Sequence, residues 1–210
     1  MTYRTVTFLV ALALAAPAAA QVPQLSVQTI FASSDFDSEL VSVNWLDDGQ
    51  SYATLDSNGR VVDLYRVDAR SGERQLLLAG ADLIPQGRDE PVRIGRYDFS
   101  ADGSKLLIAT DEERIWRRST RARYYVWDFD ARTLTPVSAA PGMQQYAKFS
   151  PDAQQVAFVR DNDIYVTDLA SGDETALTSD GSEDIINGTT DWVYEEELSL
   201  ADGFRWSPDG

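Results

Sequence analysis

A five-residue pattern recurs four times along this chain and limits its folds more than any other feature. Each copy is an aromatic residue followed by a turn of Ser, Pro, Asp and Gly character: WLDDG at 45–49, FSADG at 99–103, FSPDA at 149–153 and WSPDG at 206–210. The aromatic residues stand 54, 50 and 57 positions apart. Self-similarity at such a period marks a solenoid or a propeller. The turn chemistry agrees, because Pro presets the first turn angle and Asp-Gly suits a tight hairpin. Apolar residues alternate after two of the copies, at Leu106 and Ile108 and at Val156 and Phe158. That period of two belongs to strands.

A second element repeats between the first. YRVDARSG at 65–72 matches YVTDLASG at 165–172, and WDFDART at 127–133 is a looser third copy that sets Asp130 opposite Asp68 and Asp168. Each reads as a strand ending in a polar turn, with a further strand behind it at 75–78 or 174–177. Four short antiparallel strands per period describe a propeller blade. A β-sandwich also uses short strands, but tandem repetition favours the propeller. From the first element to the second the interval is 23, 31 and 19 residues in successive blades. The middle blade therefore carries an insertion of roughly ten residues, and insertions map to loops on one face, often the binding face. This one holds Arg114, Trp116, Arg117, Arg118, Arg121 and Arg123. The expected fold is all-β, an incomplete β-propeller of about three and a bit four-stranded blades. Propellers close with four to eight blades, so residues 21–210 are expected to be the N-terminal part of a longer polypeptide.

Composition then narrows the chemistry. The chain has neither Cys nor His. Disulfides, Cys-ligated metals and thiol catalysis are excluded, and a Ser-His-Asp triad cannot be assembled from these residues. A net charge of −16 argues against a nucleic-acid partner, which needs a basic face. Residues 1–20 read as a secretory signal peptide: Arg4 is the positive start, 6–16 is an apolar run, and Ala18, Ala19 and Ala20 form the cleavage site before Gln21. The run is too short for a membrane span, which needs about 20 apolar residues. The expected location is secreted or periplasmic.

The densest functional signal is DWVYEEE at 191–197, which follows NGTT at 187–190. Asp191 is placed to cap a short helix, and acidic residues suit a helix N-terminus. A bare run of three Glu is usually a solvated turn. Trp192 and Tyr194 offer an anchor that would fix these carboxylates against a cation. Calcium is one candidate, although an EF-hand spacing is absent. A peptide α-ammonium is another, since its three donors suit paired carboxylates.

These residues resemble the dipeptidyl peptidase IV family of serine exopeptidases. DWVYEEE looks like the family signature, WRRS at 116–119 like its Trp-Arg segment, and NDIYV at 162–166 and EDII at 183–186 like stretches leading to the signature. Two departures are modest: Ala153 replaces a turn glycine, and Arg118 differs from other members. The resemblance implies an eight-bladed N-terminal propeller followed by a C-terminal α/β-hydrolase domain that carries the triad. It implies that Glu196 and Glu197 hold the ammonium of the peptide substrate N-terminus and that Arg117 contacts a substrate carbonyl. No catalytic residue, metal or cofactor is expected in this chain. It would be the substrate-gating segment of a secreted dipeptidyl peptidase that releases N-terminal dipeptides with Pro or Ala second. The family often forms homodimers. The alternatives are a non-enzymatic periplasmic propeller that serves as a binding scaffold, and a catalytically dead relative that keeps the site.

Overall fold

The computed structural model describes residues 25–34 and 42–210. The expected signal peptide lies outside the described residues. The described residues fall into two units, 25–34 and 42–210. In the first, a one-turn helix α1 (Val27–Ala32) is capped by Ser26, whose Oγ accepts from Thr29 N at 3.0 Å. Among the described residues no helix is long and apolar enough to cross a membrane.

The second unit holds three four-stranded antiparallel sheets, each with its strands in chain order. The first contains β1 (Val43–Trp45), β2 (Ser51–Asn58), β3 (Val61–Asp68) and β4 (Arg74–Leu78). The second contains β5 (Arg96–Phe99), β6 (Lys105–Arg114), β7 (Thr120–Asp128) and β8 (Thr133–Pro136). The third contains β9 (Gln145–Phe149), β10 (Gln155–Arg160), β11 (Asp163–Asp168) and β12 (Glu174–Ala176). Three meandering blades in sequence are the partial β-propeller expected from the repeat.

Burial explains why the strand patterns differ. Side chains alternate between the two faces of a strand. On β6, Leu106 and Ile108 join a core shared with Ala53, Leu64 and Leu78 of the first blade. The intervening Leu107 and Ala109 join a second core with Val156 and Phe158 of the third blade. Both faces of the middle sheet are therefore covered, and β6 reads as a nearly continuous apolar run. Burying each large apolar side chain contributes about 1.5–3 kcal/mol, so the two inter-blade cores hold the unit together.

The repeated turns share one hydrogen-bond device. Asp102 Oδ1 accepts from Ser100 Oγ at 2.6 Å and from Ser104 N at 3.0 Å, while Ser100 Oγ accepts from Lys105 N at 2.9 Å. Asp152 and Ser150 repeat this arrangement. Asp48 uses Ser51 instead. Ala153, at φ +56°, occupies the left-handed position taken by Gly49 and Gly103. The Ser51 hydroxyl and the Gln50 and Ser51 amides hold the Asp48 carboxyl down at about 2, and the Ser100 hydroxyl with the Ser104 donors does the same for Asp102.

A carboxylate depressed by folding stabilises the fold above its unfolded pKa of 3.8 and loses that contribution as pH falls through about 2. The thermal midpoint of the propeller is expected to fall across that window. Asp102→Asn should flatten the fall. An unchanged acid profile in the variant would show that the turn carboxylate is not linked to folding.

The second repeated element needs one correction. Asp68 Oδ1 accepts from Arg70 N and Ser71 N, and Asp168 Oδ1 accepts from Ala170 N and Ser171 N. In the middle blade Asp128 does this, accepting from Asp130 N at 3.0 Å and Ala131 N at 2.8 Å. The looser copy had aligned Asp130. Arg132, at φ +53°, stands where Gly72 and Gly172 stand in the other blades, so no glycine marked the register there.

Candidate functional site

The insertion in the middle blade is a longer hairpin. Strands β6 and β7 have 10 and 9 residues, against 6 and 6 for β10 and β11. Their register shifts between Thr110 and Glu113, where Asp111 sits at φ +54°. Two of the insertion's five arginines face acids on the same hairpin. Arg121 pairs with Glu113 at 2.8 Å and Arg123 with Asp111 at 3.8 Å. Such exposed pairs contribute little to stability, but they neutralise the basic stretch locally.

The hairpin tip closes on one residue. Ile115 N and Trp116 N both donate to Ser119 O, at 2.9 and 3.3 Å. Arg117 and Arg118 lie inside this loop and are presented outward.

The signature forms the partner of the tip. Asp191 caps a two-turn helix α2 (Trp192–Leu198), its Oδ1 accepting from Tyr194 N at 3.0 Å, as the sequence indicated. The approach to the helix requires Gly188, at φ +74°. A Cβ there would sit 2.6 Å from Val159 Cγ2 and 2.8 Å from Ile164 Cγ1. The chain runs flat across the third blade before turning into α2, which accounts for a glycine just before the signature.

Successive residues on an α-helix point about 100° apart, so the three glutamates do different things. Glu195 points inward and is 1% exposed. Its Oε1 accepts from Arg118 N at 2.6 Å and Ser119 N at 3.3 Å, and its Oε2 accepts from Ser119 Oγ. Burial pushes the Glu195 pKa up. The Ser119 hydroxyl, the two amides and the Arg118 charge outweigh it together and hold the carboxyl below its ordinary value. Glu195 is therefore an ionised clamp between helix and hairpin.

Glu196 flanks the tip. Its Oε1 lies 3.3 Å from Arg117 Nε, with the glutamate side chain 14% exposed and the arginine 74%. Glu197, the next residue along the helix, is exposed. The fold thus brings Arg117 and Glu196 together and sets Glu197 on the same helix. Mutual repulsion among the glutamates is relieved because one is buried among donors and the next faces a guanidinium. The Glu196 carboxylate and the Arg117 guanidinium, open to solvent on the arginine's side, can accept from a cation and donate to a carbonyl. Among the described residues no group of three or more Asp or Glu side chains is placed to hold a metal ion.

Reading the sequence missed Glu195, Ser119 and Tyr146. Glu195 appeared as one of three similar carboxylates. Ser119 appeared only as the last residue of the WRRS segment, and Tyr146 carried no motif at all.

Comparison with known proteins gives concordant matches. A family model described as the dipeptidyl peptidase IV (DPP IV) N-terminal region matches residues 100–210. A probable dipeptidyl peptidase 4 from Aspergillus flavus is 35% identical over 176 residues, covering 80% of this chain and 21% of that protein. A probable dipeptidyl-aminopeptidase B from Aspergillus niger is 34% identical over 168 residues, covering 78% of this chain and 18% of that protein. The crystal structure of Porphyromonas gingivalis dipeptidyl peptidase 4 superposes with a TM-score of 0.71 at 29% identity, covering 86% of this chain and 26% of that one. The chain therefore spans only a small part of the length of the relatives it matches.

Proposed function

Because the chain belongs to the dipeptidyl peptidase IV family, within its N-terminal region, we propose that it forms the substrate-gating part of a secreted or periplasmic serine-type dipeptidyl peptidase. In this reading Glu196 and Glu197 receive the α-ammonium of a peptide, and Arg117 donates to a carbonyl of its first residues. The observation that carries it is the Arg117–Glu196 approach at 3.3 Å between two segments far apart in the chain. A guanidinium and a carboxylate side by side match a peptide N-terminus, which offers a cation followed by a carbonyl oxygen.

The proposed mechanism is a ruler. An extended peptide rises about 3.3–3.6 Å per residue. Carboxylates fixed two residues from a nucleophile admit one dipeptide before the scissile bond. A blocked or internal segment brings no ammonium, and desolvating the carboxylates without a partner is costly. This chain contains no His, so the nucleophile and its base would come from a hydrolase domain of the longer polypeptide. The pocket that favours Pro or Ala at the second position would come from there too.

The natural polypeptide should release dipeptides from peptides with a free amino terminus and leave N-acetylated versions intact. Equal turnover of both would defeat the proposal in favour of a different peptidase specificity. No turnover and no binding of either would favour the non-enzymatic scaffold.

A pH dependence follows. A free α-amino group titrates at about 7.7–8.0, and the carboxylates bind only its protonated form. KM should be flat below that range and rise about tenfold per pH unit above it. Steady-state kinetics between pH 6.5 and 9.5 test this. A KM independent of pH would remove the ammonium from the binding step.

A further inference from the structure

The hairpin tip is tied to the next blade as well as to the helix. Tyr146 Oη donates to Ser119 Oγ at 2.7 Å. Ser119 is 4% exposed, and every polar group it has is engaged. Its amide donates to Glu195 Oε1, its carbonyl accepts from Ile115 N and Trp116 N, and its hydroxyl donates to Glu195 Oε2 while accepting from Tyr146. A serine hydroxyl has one proton and rotates freely unless something fixes it. Here the Tyr146 phenol occupies a lone pair of Ser119 Oγ, which leaves the Ser119 proton aimed at Glu195.

Tyr146 is also held in an unusual backbone conformation. It lies on β9 at φ +54°, in the left-handed region that a bulky L-residue rarely adopts. The pairing of β9 with β10 breaks register there, between Ala157 and Val159. Conformations of this kind persist where the surrounding structure imposes them, often at functional sites. The ring borders a polar cavity of about 300 Å³ that Arg96, Tyr124 and Lys148 also line. Burial pushes the Tyr146 phenol above its ordinary pKa, so the group stays a donor at neutral pH.

We propose that Tyr146 is a positioning residue for the ammonium site, acting through Ser119 and Glu195 on the place of Arg117 and Glu196. The connection is contiguous. Tyr146 orients the Ser119 hydroxyl, and Ser119 with the Arg118 amide satisfies Glu195. Glu195 lies one residue before Glu196, and Arg118 one residue after Arg117. Loss of the phenol frees the Ser119 rotor and loosens the hairpin against the helix, in the two segments that converge on the substrate. This inference rests on the reading of Glu196, Glu197 and Arg117 as substrate anchors.

Tyr146→Phe in the natural polypeptide tests it, because the ring stays and only the hydroxyl goes. With a chromogenic dipeptide amide bearing a free amino terminus, KM should rise about fivefold, the worth of one neutral hydrogen bond. The inhibition constant of the product dipeptide should rise by the same factor. Both kcat and the thermal midpoint should stay near wild type. Ser119→Ala should raise KM at least as far, and adding Tyr146→Phe to it should change nothing more.

An unchanged KM in Tyr146→Phe, or additive effects in the double variant, would overturn the relay. A fall in kcat and midpoint in step with the KM rise would also overturn it, by making Tyr146 a general packing residue. Glu196→Gln and Glu197→Gln separate the two levels of the argument. If they collapse dipeptide release while Tyr146→Phe is silent, the relay alone fails. If they leave KM untouched, the substrate reading fails and takes the relay with it.

Discussion

Glu196→Gln is expected to lower kcat/KM for dipeptide release by about 10²–10³, with the fold unaffected. The magnitude follows from the charge. Truncating one partner of a desolvated, hydrogen-bonded charge pair typically costs about 2–5 kcal/mol, and a hundredfold loss is about 2.7 kcal/mol. Glutamine keeps the shape and one acceptor but loses the negative charge that an ammonium seeks. It also leaves Arg117, now 3.3 Å from Glu196 Oε1, without its counter-ion in the empty site. Glu197→Gln should act in the same direction, because the ammonium has three donors and a single carboxylate cannot satisfy them. Folding should survive both changes, since Glu197 is exposed and Glu196 makes its ion pair with a largely exposed arginine. The measurement is steady-state kinetics on unblocked substrate beside circular dichroism of each variant. A loss smaller than threefold in a folded variant would remove the carboxylate from substrate binding.

Glu195→Gln should behave differently, and the contrast shows what the sequence could and could not convey. Three identical residues in a row look alike on paper. Helix geometry sends one inward, one to the flank and one outward, and only the inward one meets the Ser119 and Arg118 amides. Those donors come from another blade, and no local pattern announces so distant a pairing. Ser119 and Tyr146 were hidden for the same reason. The elements legible from the sequence were those whose cause is local. The Asp-centred turns recur because each Asp bonds amides two and three residues ahead. The cap at Asp191 is an equally short-range contact.

Where a local cue was missing, the reading slipped. Arg132 replaced the turn glycine, and Asp130 was taken for Asp128. The insertion was legible as length and charge. Its form as an extended hairpin was not, because a bulge at Asp111 shifts the register midway. The four-stranded blades were legible throughout because turn spacing and alternation repeat the same message.

Phe158→Ala is expected to cost about 3–5 kcal/mol of propeller stability, the range for removing a buried aromatic side chain. Phe158 is fully buried and stacks on its cross-strand partner Tyr165, with centroids 5.7 Å apart and planes at 12°. It belongs to the core that Leu107, Ala109 and Val126 of the second blade share with the third. An alanine leaves a void that the β-ladder on either side cannot collapse to fill. Phe158→Leu keeps most of the volume and should cost less than half as much.

The loss reaches beyond stability, because these two blades carry the two ends of the hairpin's support. Ser119 extends from the second and Tyr146 belongs to the third. Loosening their packing should raise KM as the temperature approaches the lowered midpoint, even though position 158 is in the core and does not contact the site. Thermal unfolding followed by tryptophan fluorescence measures the first effect, with a fall on the order of 10 °C expected. Kinetics at two temperatures measure the second. A midpoint shift under about 2 °C would mean that this ring does not join the blades, and the site's geometry would then have to be held by the hairpin and helix alone.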